Sequence, residues 1–491
     1  MAVSSSRWLR LSRFLVLGVL VLLFSAYFLS RSEYRPFSRP TWPSVEGNKE
    51  DYIGQDKDTF IREAAAWEID GEYNDGPLRD LCSGKEWQPG LIFKCDNAFG
   101  GVGNIRNIIL TCIRYAIEAG ATSLIIPKIE ERDAGLIELH AGTTLPFTYM
   151  FDEDFFITSL TTACPQISII TSESLLDASI SRAGLTPKDL GHAFKVDRVM
   201  DFASIWRSLF DTWVHDFGAP SGFSASKQIL VSITPSFFEF PILHDSASFI
   251  ATFGRILRFN PSILHLAATV LYALDKEYKL NLEPAKTGIP AEGKFYGAHL
   301  RTDVDAVAAS FASYEEQSSA YLSAAKEHKL AFIYLASGSP ADIKRFSKTA
   351  EKMGMKVTTK LALLENVGEF EEELKEMKSL TWDQQALLDY MVLLRSSHFG
   401  GTWASSFSYN IVFRRHVVIG DGTWIPSRMA LEARDIEERG LDLEARNELI
   451  EGRWESIEEE KLANGECYKD KINTVFGPPR MGIWFELSMW P

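Results

Sequence analysis

The sequence predicts an α/β protein with two Rossmann-like domains facing each other across a cleft, preceded by one N-terminal transmembrane helix. Three observations predict it. From Leu91 a strand (LIFKC), a glycine loop (DNAFGGVG), a helix (NIRNIILTCIRYAIEAG) and a second strand (TSLIIP) follow one another as a βαβ unit. A second α/β region starts near residue 290, with KFYGAHL and LAFIYLAS as strands and YEEQSSAYLSAAKEH as the helix between them. Near the N-terminus, Phe14 to Leu29 (FLVLGVLVLLFSAYFL) is sixteen residues without a charge, preceded by Arg7, Arg10 and Arg13.

Taken in order, residues 1–13 read as a short cytoplasmic tail and 14–30 as a transmembrane signal anchor. The alternative, a cleaved signal peptide, wants a small-x-small site, which SAYFLSRS provides poorly. Arg31, Arg35 and Arg39 nearly balance the basic residues on the other flank, so orientation rests on the bulk of the chain lying on one side. The expected topology is single-pass type II with a lumenal body, in the Golgi or endoplasmic reticulum. Residues 31–85 are polar, carry four prolines and read as a stem or linker, apart from a short helical stretch at IREAAAWEI.

The first domain is placed at 86–280 and the second at 281–480. In the first helix Ile105, Ile108, Ile109, Cys112, Ile113, Ala116 and Ile117 recur at threes and fours, and Gly120 stands where a C-terminal cap belongs. The stretch from about 190 to 280, rich in Phe, Trp and Leu, reads as mostly helical. In the second domain Thr381 and Gln384 form a capping box ahead of WDQQALLDYMVLL; HFGG then reads as a short buried strand and TWASSFSYNIVFRR as the start of a new helix. After residue 428 a charged stretch reads as one or two solvated helices, with an acidic docking face as the alternative.

With 46% hydrophobic and 12% aromatic residues, the 491-residue chain can fill two or three cores. A net charge of −15 argues against nucleic-acid binding as its main role. Five cysteines without a C-x-x-C spacing argue against zinc and are few for a structural framework. Cys82 with Cys95 is the one pairing that reads as a disulfide, and buried free thiols are the alternative.

Three segments could carry chemistry. In NAFGGVGNIRN, Gly100, Gly101 and Gly103 allow close backbone approach, and a helix N-terminus follows with its dipole behind it. That suits a pyrophosphate or a sugar; it also suits an ordinary tight strand-to-helix turn. In TWASSFSYN, Ser405 and Ser406 offer hydroxyls and backbone N–H groups at a strand-to-helix junction, as helix caps or as phosphate ligands, the latter favoured by the preceding Gly400 and Gly401. In FYGAHLRTDVDA, alternation puts His299 and Arg301 on one face as the strand ends, where an arginine could make bidentate bonds to a diphosphate and stabilise charge on a leaving group. A lone His or Arg there serves structure as readily. Asp303 and Asp305 form an acid-x-acid pair of the kind that holds a divalent metal, a pattern that also arises by chance among 66 acidic residues. FDEDFF (151–156) is a second acidic cluster, and its phenylalanines read as a loop pinned onto a core.

In this order, GGVGNIRN with its helix and TSLIIP strand, the strand ending in HLR with nearby Asp303, and DQQALLDYMVLLRSSHFGGTWASSFSYNIVFRR resemble the motifs of the GDP-fucose O-fucosyltransferase superfamily, in patches over residues 90 to 420. FDEDFFITSL also resembles a segment of the family's first domain. The resemblance implies the two-domain GT-B architecture, with a nucleotide-sugar-binding C-terminal domain. It also implies a secretory-pathway enzyme that transfers fucose from GDP-fucose to a protein or glycan acceptor, with inversion and with neither a metal nor another cofactor. On that resemblance Arg301 holds the β-phosphate and assists departure of GDP, with Asp303 as its catalytic neighbour. His299 contacts the nucleotide, Gly101, Gly103 and Asn104 line the cleft, Ser405, Ser406 and Phe407 bind the diphosphate, and Asp389 is a further binding candidate.

Two departures stand out. Gly338 and Ser339 follow IYLAS where the family commonly has an Asp, and the glycine loop lacks the glutamate base of some members, leaving Asp96 and Asp303 as candidate bases. The competing readings are a transferase of the same fold using another nucleotide sugar, a noncatalytic binding protein, and a metal-dependent transferase using Asp303 and Asp305.

Overall fold

The computed structural model of the chain describes residues 54–66, 68–132, 142–190, 194–196, 199–200, 203–236, 238–289, 293–366, 368–420, 466–478 and 483–491. The expected tail, membrane anchor, first part of the stem and charged stretch after 428 lie outside the described residues. Among the described residues no helix is long and apolar enough to cross a membrane.

The strands, in chain order, are β1 (Gln88–Cys95), β2 (Ala121–Ile125), β3 (Ile129–Glu130), β4 (Thr144–Leu145), β5 (Ser168–Ile170), β6 (Ser181–Leu185), β7 (Phe194–Val196), β8 (Val199–Met200), β9 (Ile229–Ile233), β10 (Tyr296–His299), β11 (Phe332–Ala336), β12 (Lys356–Thr358), β13 (His398–Thr402), β14 (Glu466–Lys469) and β15 (Asn473–Phe476). Leu91, Ile92 and Phe93 of β1 are fully buried, as is Tyr296 of β10, because both faces of a parallel strand are covered. The first sheet has the order β5-β2-β1-β9-β6 and is parallel throughout. The second has the order β12-β11-β10-β13-β15-β14, parallel except for its edge strand β14. Small antiparallel pairs, β3 with β4 and β7 with β8, stand apart.

In both sheets the earliest strand is central and the chain order reverses beside it: β1 lies between β2 and β9, and β10 between β11 and β13. Loops leaving the carboxyl ends of strands at such a switch point diverge and leave a crevice. The loops after β1, β10 and β13 are the three segments singled out from the sequence.

The helix Val102–Ala119 follows the glycine loop, and Gly120 closes it with φ 71°, its N–H donating to the carbonyls of Ala116 and Ile117. Its burial departs from the one-sided pattern expected: Arg106, Asn107, Arg114 and Glu118 are buried with the isoleucines. The reason is tertiary. This helix packs against Ser406–Ile419 of the second half, so its polar side also faces protein. Arg106 donates to the carbonyl oxygens of Leu257 (2.8 Å) and Gly254 (2.9 Å). Arg114 pairs with Glu118 and Asp245, both at 2.7 Å. These partners offset much of the cost of burying the charges, although Arg106 Nε is buried without a hydrogen-bond partner.

Part of the expected stem belongs to the core. Helices Lys57–Ala66 and Gly76–Ser83 bury Phe60, Ile61, Ala64, Leu78 and Cys82. The stretch from 190 to 280 holds helices Ala203–Trp213, Ala247–Phe253 and Pro261–Tyr278, and also β9, which completes the first sheet beside β1. The FDEDFF segment starts a helix where a loop was expected: Asp152 caps helix Glu153–Ala163 by accepting from the Phe155 N–H (3.0 Å), while Phe151 and Phe156 are buried, pinning it onto the core as expected. The capping box of Thr381 and Gln384 on helix Trp382–Leu394 forms as expected.

The cysteines pair differently from the sequence expectation. Cys82 joins Cys164 and Cys95 joins Cys112, with Cα separations of 5.4 and 5.8 Å. Cys82 faces helix Glu153–Ala163 across the packed stem, whereas Cys95, at the end of β1, faces the helix that follows it. Closing loops of 82 and 17 residues removes unfolded-chain entropy equivalent to about 4.5 and about 3 kcal/mol by loop-closure arithmetic. A Cys82→Ala/Cys164→Ala protein should therefore lose about 4 kcal/mol of unfolding free energy, more than a Cys95→Ala/Cys112→Ala protein. Equal urea midpoints for the two pairs would contradict that ranking.

Candidate active site

A cleft of about 870 Å³ lies at the carboxyl ends of the strands, with walls from both sheets. Gly101, Val102, Asn104 and Arg132 come from the first half; His299, Arg301, Asp303, Asp305, Lys360, Trp382, Asp389, Ser405, Ser406 and Phe407 come from the second. Of the residues the sequence singled out, Gly101, Asn104, His299, Arg301, Asp303, Asp305, Asp389, Ser405, Ser406 and Phe407 are on this surface, and Asp96, Gly100, Gly103, Gly400 and Gly401 are not.

Gly103 stands behind it. A Cβ at Gly103 would lie 2.4 Å from the carbonyl carbon and oxygen of Ser406 and 2.8 Å from the Phe407 nitrogen. The residue is a contact point at which the first turn of helix Val102–Ala119 meets the Ser-Ser-Phe turn, so its role is close packing rather than lining. Gly101 is the N-cap of that helix, has no side-chain capping bond and faces open space. The helix therefore presents its N-terminal N–H groups towards the cleft.

On the opposite wall, Ser405 caps helix Ser406–Ile419: its Oγ accepts from the Ser408 N–H at 3.2 Å. That bond uses one lone pair of the Ser405 hydroxyl, whose O–H remains a donor, and both Ser405 and Ser406 line the cleft. Gly400 and Gly401 lie within buried β13, where a Cβ would strike the Tyr296 hydroxyl or the Ser408 side chain. They serve packing and not the anion site to which the sequence pattern assigned them.

His299 ends β10. Its Nδ1 is 2.9 Å from Ser408 Oγ, and that hydroxyl also accepts from the Thr402 N–H at 3.2 Å. The Ser408 hydroxyl can donate to Nδ1 or accept from Nδ1–H, so this bond fixes the ring's orientation in either tautomer. The ring packs 4.5 Å from Phe407, centroid to centroid. Burial, with Arg301 adding to it, pushes the His299 pKa down to about 3, so the ring is neutral. The unfolded chain binds the extra proton between about pH 6.5 and 3, so this contribution to stability is present above 6.5 and is lost as pH falls toward 3. His398, pushed by burial down to about 2, acts in the same direction. Urea midpoints should fall from pH 7 to pH 4, and His299→Asn should show a shallower fall; identical slopes would count against the buried neutral ring.

Arg301 lies two residues beyond the end of the strand. Gln317, from helix Tyr314–Glu327, grips its peptide twice: Oε1 accepts from the Arg301 N–H (2.9 Å) and Nε2 donates to its carbonyl (2.8 Å). The guanidinium pairs with Asp303 and Asp305 and lies over the Trp382 ring, 5.0 Å from its centroid. The acid-x-acid pair is therefore turned onto the arginine. Gly338 has a related function, since a Cβ there would stand 2.6 Å from Asp303 Oδ1; the absent side chain makes room for the Asp303 carboxylate.

Asp389 is held from two sides, accepting from the Tyr334 hydroxyl at 2.7 Å and from Lys360 Nζ at 2.5 Å. Asp96 is absent from the cleft wall; its carboxyl is raised above the usual range by burial, with Lys94 opposing and Glu173 adding to the rise. Among the described residues no cluster of three His, Cys, Asp or Glu side chains is arranged to hold a metal.

The sequence reading missed Arg132, Gln317, Lys360 and Trp382. Trp382 sat inside the recognised capping box and its direction was unreadable. Arg132 follows the two-residue β3, too short to show a period.

The GDP-fucose protein O-fucosyltransferase family model matches residues 91–418. With its α/β fold, its parallel sheets and a match of that extent, this protein is a fucosyltransferase-like glycosyltransferase. The chain belongs to the GDP-fucose protein O-fucosyltransferase family.

Among solved structures, POFUT1 in complex with GDP aligns with a TM-score of 0.40 at 14% identity, over 67% of this chain and 96% of that one. POFUT1 in complex with GDP-fucose aligns with a TM-score of 0.39 at 14% identity, over 68% and 95%. An arginine-to-lysine mutant of Arabidopsis thaliana FUT1 in complex with GDP aligns with a TM-score of 0.32 at 10% identity, over 69% and 71%. A search of curated proteins returns no match to this sequence.

Proposed function

We propose that the chain transfers fucose from GDP-fucose to an acceptor hydroxyl on a protein or glycan, with inversion and without a bound metal. The observation that carries this reading is the position of Arg301: a guanidinium at a strand end, in a cleft flanked by two helix N-termini. N–H groups of the Val102 and Ser406 helices and the Ser406 hydroxyl would hold diphosphate oxygens. Arg301 would neutralise the charge that grows on the β-phosphate as the glycosidic bond to fucose breaks. Neutral His299 would contact the nucleotide.

Each of the four carboxylates on the cleft wall is engaged: Asp303 and Asp305 by Arg301, Asp389 by Lys360 and Glu365 by Lys378. That favours an oxocarbenium-like transition state in which the acceptor proton leaves late, with weak base assistance. The same pairing supports metal independence, because Asp303 and Asp305 already face a cation. Two disulfides suit an oxidising compartment, and with the uncharged run at 14–29 they support a type II membrane protein with a lumenal body.

The test is donor hydrolysis and transfer by the full chain in detergent, offered GDP-fucose, GDP-mannose and UDP-sugars, with and without EDTA. GDP-fucose turnover unaffected by EDTA is expected. Loss of turnover in EDTA would end the metal-free reading, and preference for another donor would replace fucose.

A further inference from the structure

Arg132 belongs to the first half of the chain, just beyond β3, yet its guanidinium reaches the residues around Arg301. Its Nη1 donates to Asp305 Oδ2 at 2.8 Å, and the same oxygen accepts from Arg301. Trp382 lies beneath both, its ring centroid 5.3 Å from Arg132 Cζ and 5.0 Å from Arg301 Cζ. The Arg132 main chain is anchored as well, its N–H donating to Asp383 Oδ2 at 3.2 Å. All four charged side chains are largely withdrawn from water, at 9% exposure for Arg132, 11% for Arg301 and Asp303 and 15% for Asp305.

Two features of the cluster recur in the buried Arg255–Asp70–Arg414 group, but here they stand on the cleft wall, which Arg132 lines and Arg255 and Arg414 do not. One carboxylate oxygen serves two guanidinium groups, a poor match of one acceptor atom to two planar forks, each able to bind two oxygens. In addition, Arg132 Nε is buried without a hydrogen-bond partner, in a side chain that lines the cleft. Buried donors of this kind call for an explanation, and a polyoxyanion supplies one. The charge count agrees. Two arginines and two aspartates sum to zero at rest, so a diphosphate added to the intact cluster would meet no net attraction. With Asp305 displaced, both forks face the incoming anion.

We propose that Arg132 is a second diphosphate-binding cation of this site, and that Asp305 occupies the diphosphate's place between Arg132 and Arg301 until donor arrives. The proposal rests on the donor reading above. Binding exchanges one carboxylate for phosphate oxygens on both guanidinium groups, so the two halves of the chain each hold the leaving group.

The experiment is calorimetric titration of the full chain in detergent with GDP, guanosine and inorganic pyrophosphate. Arg132→Gln should raise the Kd for GDP and for pyrophosphate tenfold or more and leave guanosine unchanged. Asp305→Asn should lower the Kd for GDP severalfold, an effect of opposite sign to that of a damaged fold. Unchanged GDP affinity in Arg132→Gln overturns the first assignment, and weaker GDP binding in Asp305→Asn overturns the second. A wild-type protein that binds pyrophosphate but not GDP removes the guanine donor reading and leaves this inference standing, tested on pyrophosphate. Binding of neither overturns both.

Discussion

Arg301→Ala is expected to lower kcat by about a thousandfold or more, the scale on which charge-stabilising groups act in phosphate-leaving reactions. Several features of the site lead there. The Arg301 main chain is held by Gln317 and does not depend on its own side chain, so the turn after β10 survives truncation. The guanidinium is the group aimed at the cleft from the strand end, stacked on Trp382 and flanked by carboxylates that orient its fork. Truncation removes a charge that matters most when GDP departs, so kcat should fall further than substrate affinity. It also leaves Asp303 without its arginine and Asp305 with Arg132 alone, both on the cleft wall, which adds repulsion toward an incoming anion. Arg301→Lys keeps the charge and loses the fork, and should recover only part of the rate. Single-turnover rates with GDP-fucose, beside circular dichroism of each variant, check this. A folded Arg301→Ala protein with near-normal turnover would remove the central assignment.

Gly103→Ala should be the most damaging single methyl group that can be added near the site. The new Cβ would sit 2.4 Å from the Ser406 carbonyl, against main chain and not against a side chain that can rotate away. One of the two helices must shift, at an expected cost of about 1–3 kcal/mol for an overpacked contact. Because that contact brings the two N-termini together, the shift also separates the groups proposed to hold the diphosphate, and GDP affinity should fall with stability. Gly101→Ala is the control. Gly101 has φ −77° and nothing within 4 Å of the position an added methyl would take, so the change in unfolding free energy should stay within about 1 kcal/mol. Equal thermal stability of the two variants would show that the helix-to-turn approach is not so close.

These two residues show how differently the site could be read in advance. Arg301 at a strand end could as readily have been structural, and what singled it out was its place between a glycine loop and a Ser-Ser-Phe turn in the order of the family's motifs. Gly103 was legible as important but was assigned the wrong role, since a sequence shows that a side chain is missing and cannot show which backbone fills the space. The same limit applies to Gly338, whose place is taken by the Asp303 carboxylate, and to Gly400 and Gly401, which give way to Tyr296 and Ser408. Asp303 and Asp305 left a metal site open as one alternative, because spacing alone cannot say which cation a carboxylate faces. Arg132 carried no signal at all, since nothing local in a loop after a two-residue strand records that it will meet Trp382, some 250 positions away in the chain.

By itself the sequence determined the periodic elements and their caps: β1, the helix closed by Gly120, β10, the capping box at Thr381, and the order of the three loops that carry polar groups. Those depend on interactions among residues a few positions apart, which local pattern records. Only the tertiary structure decided the partners. It joined Cys82 to Cys164 and Cys95 to Cys112, drew residues 57–83 into the core, and inserted β9 beside β1. It also turned the acidic pair onto Arg301 and Arg132, because each of these depends on which distant surfaces are buried together.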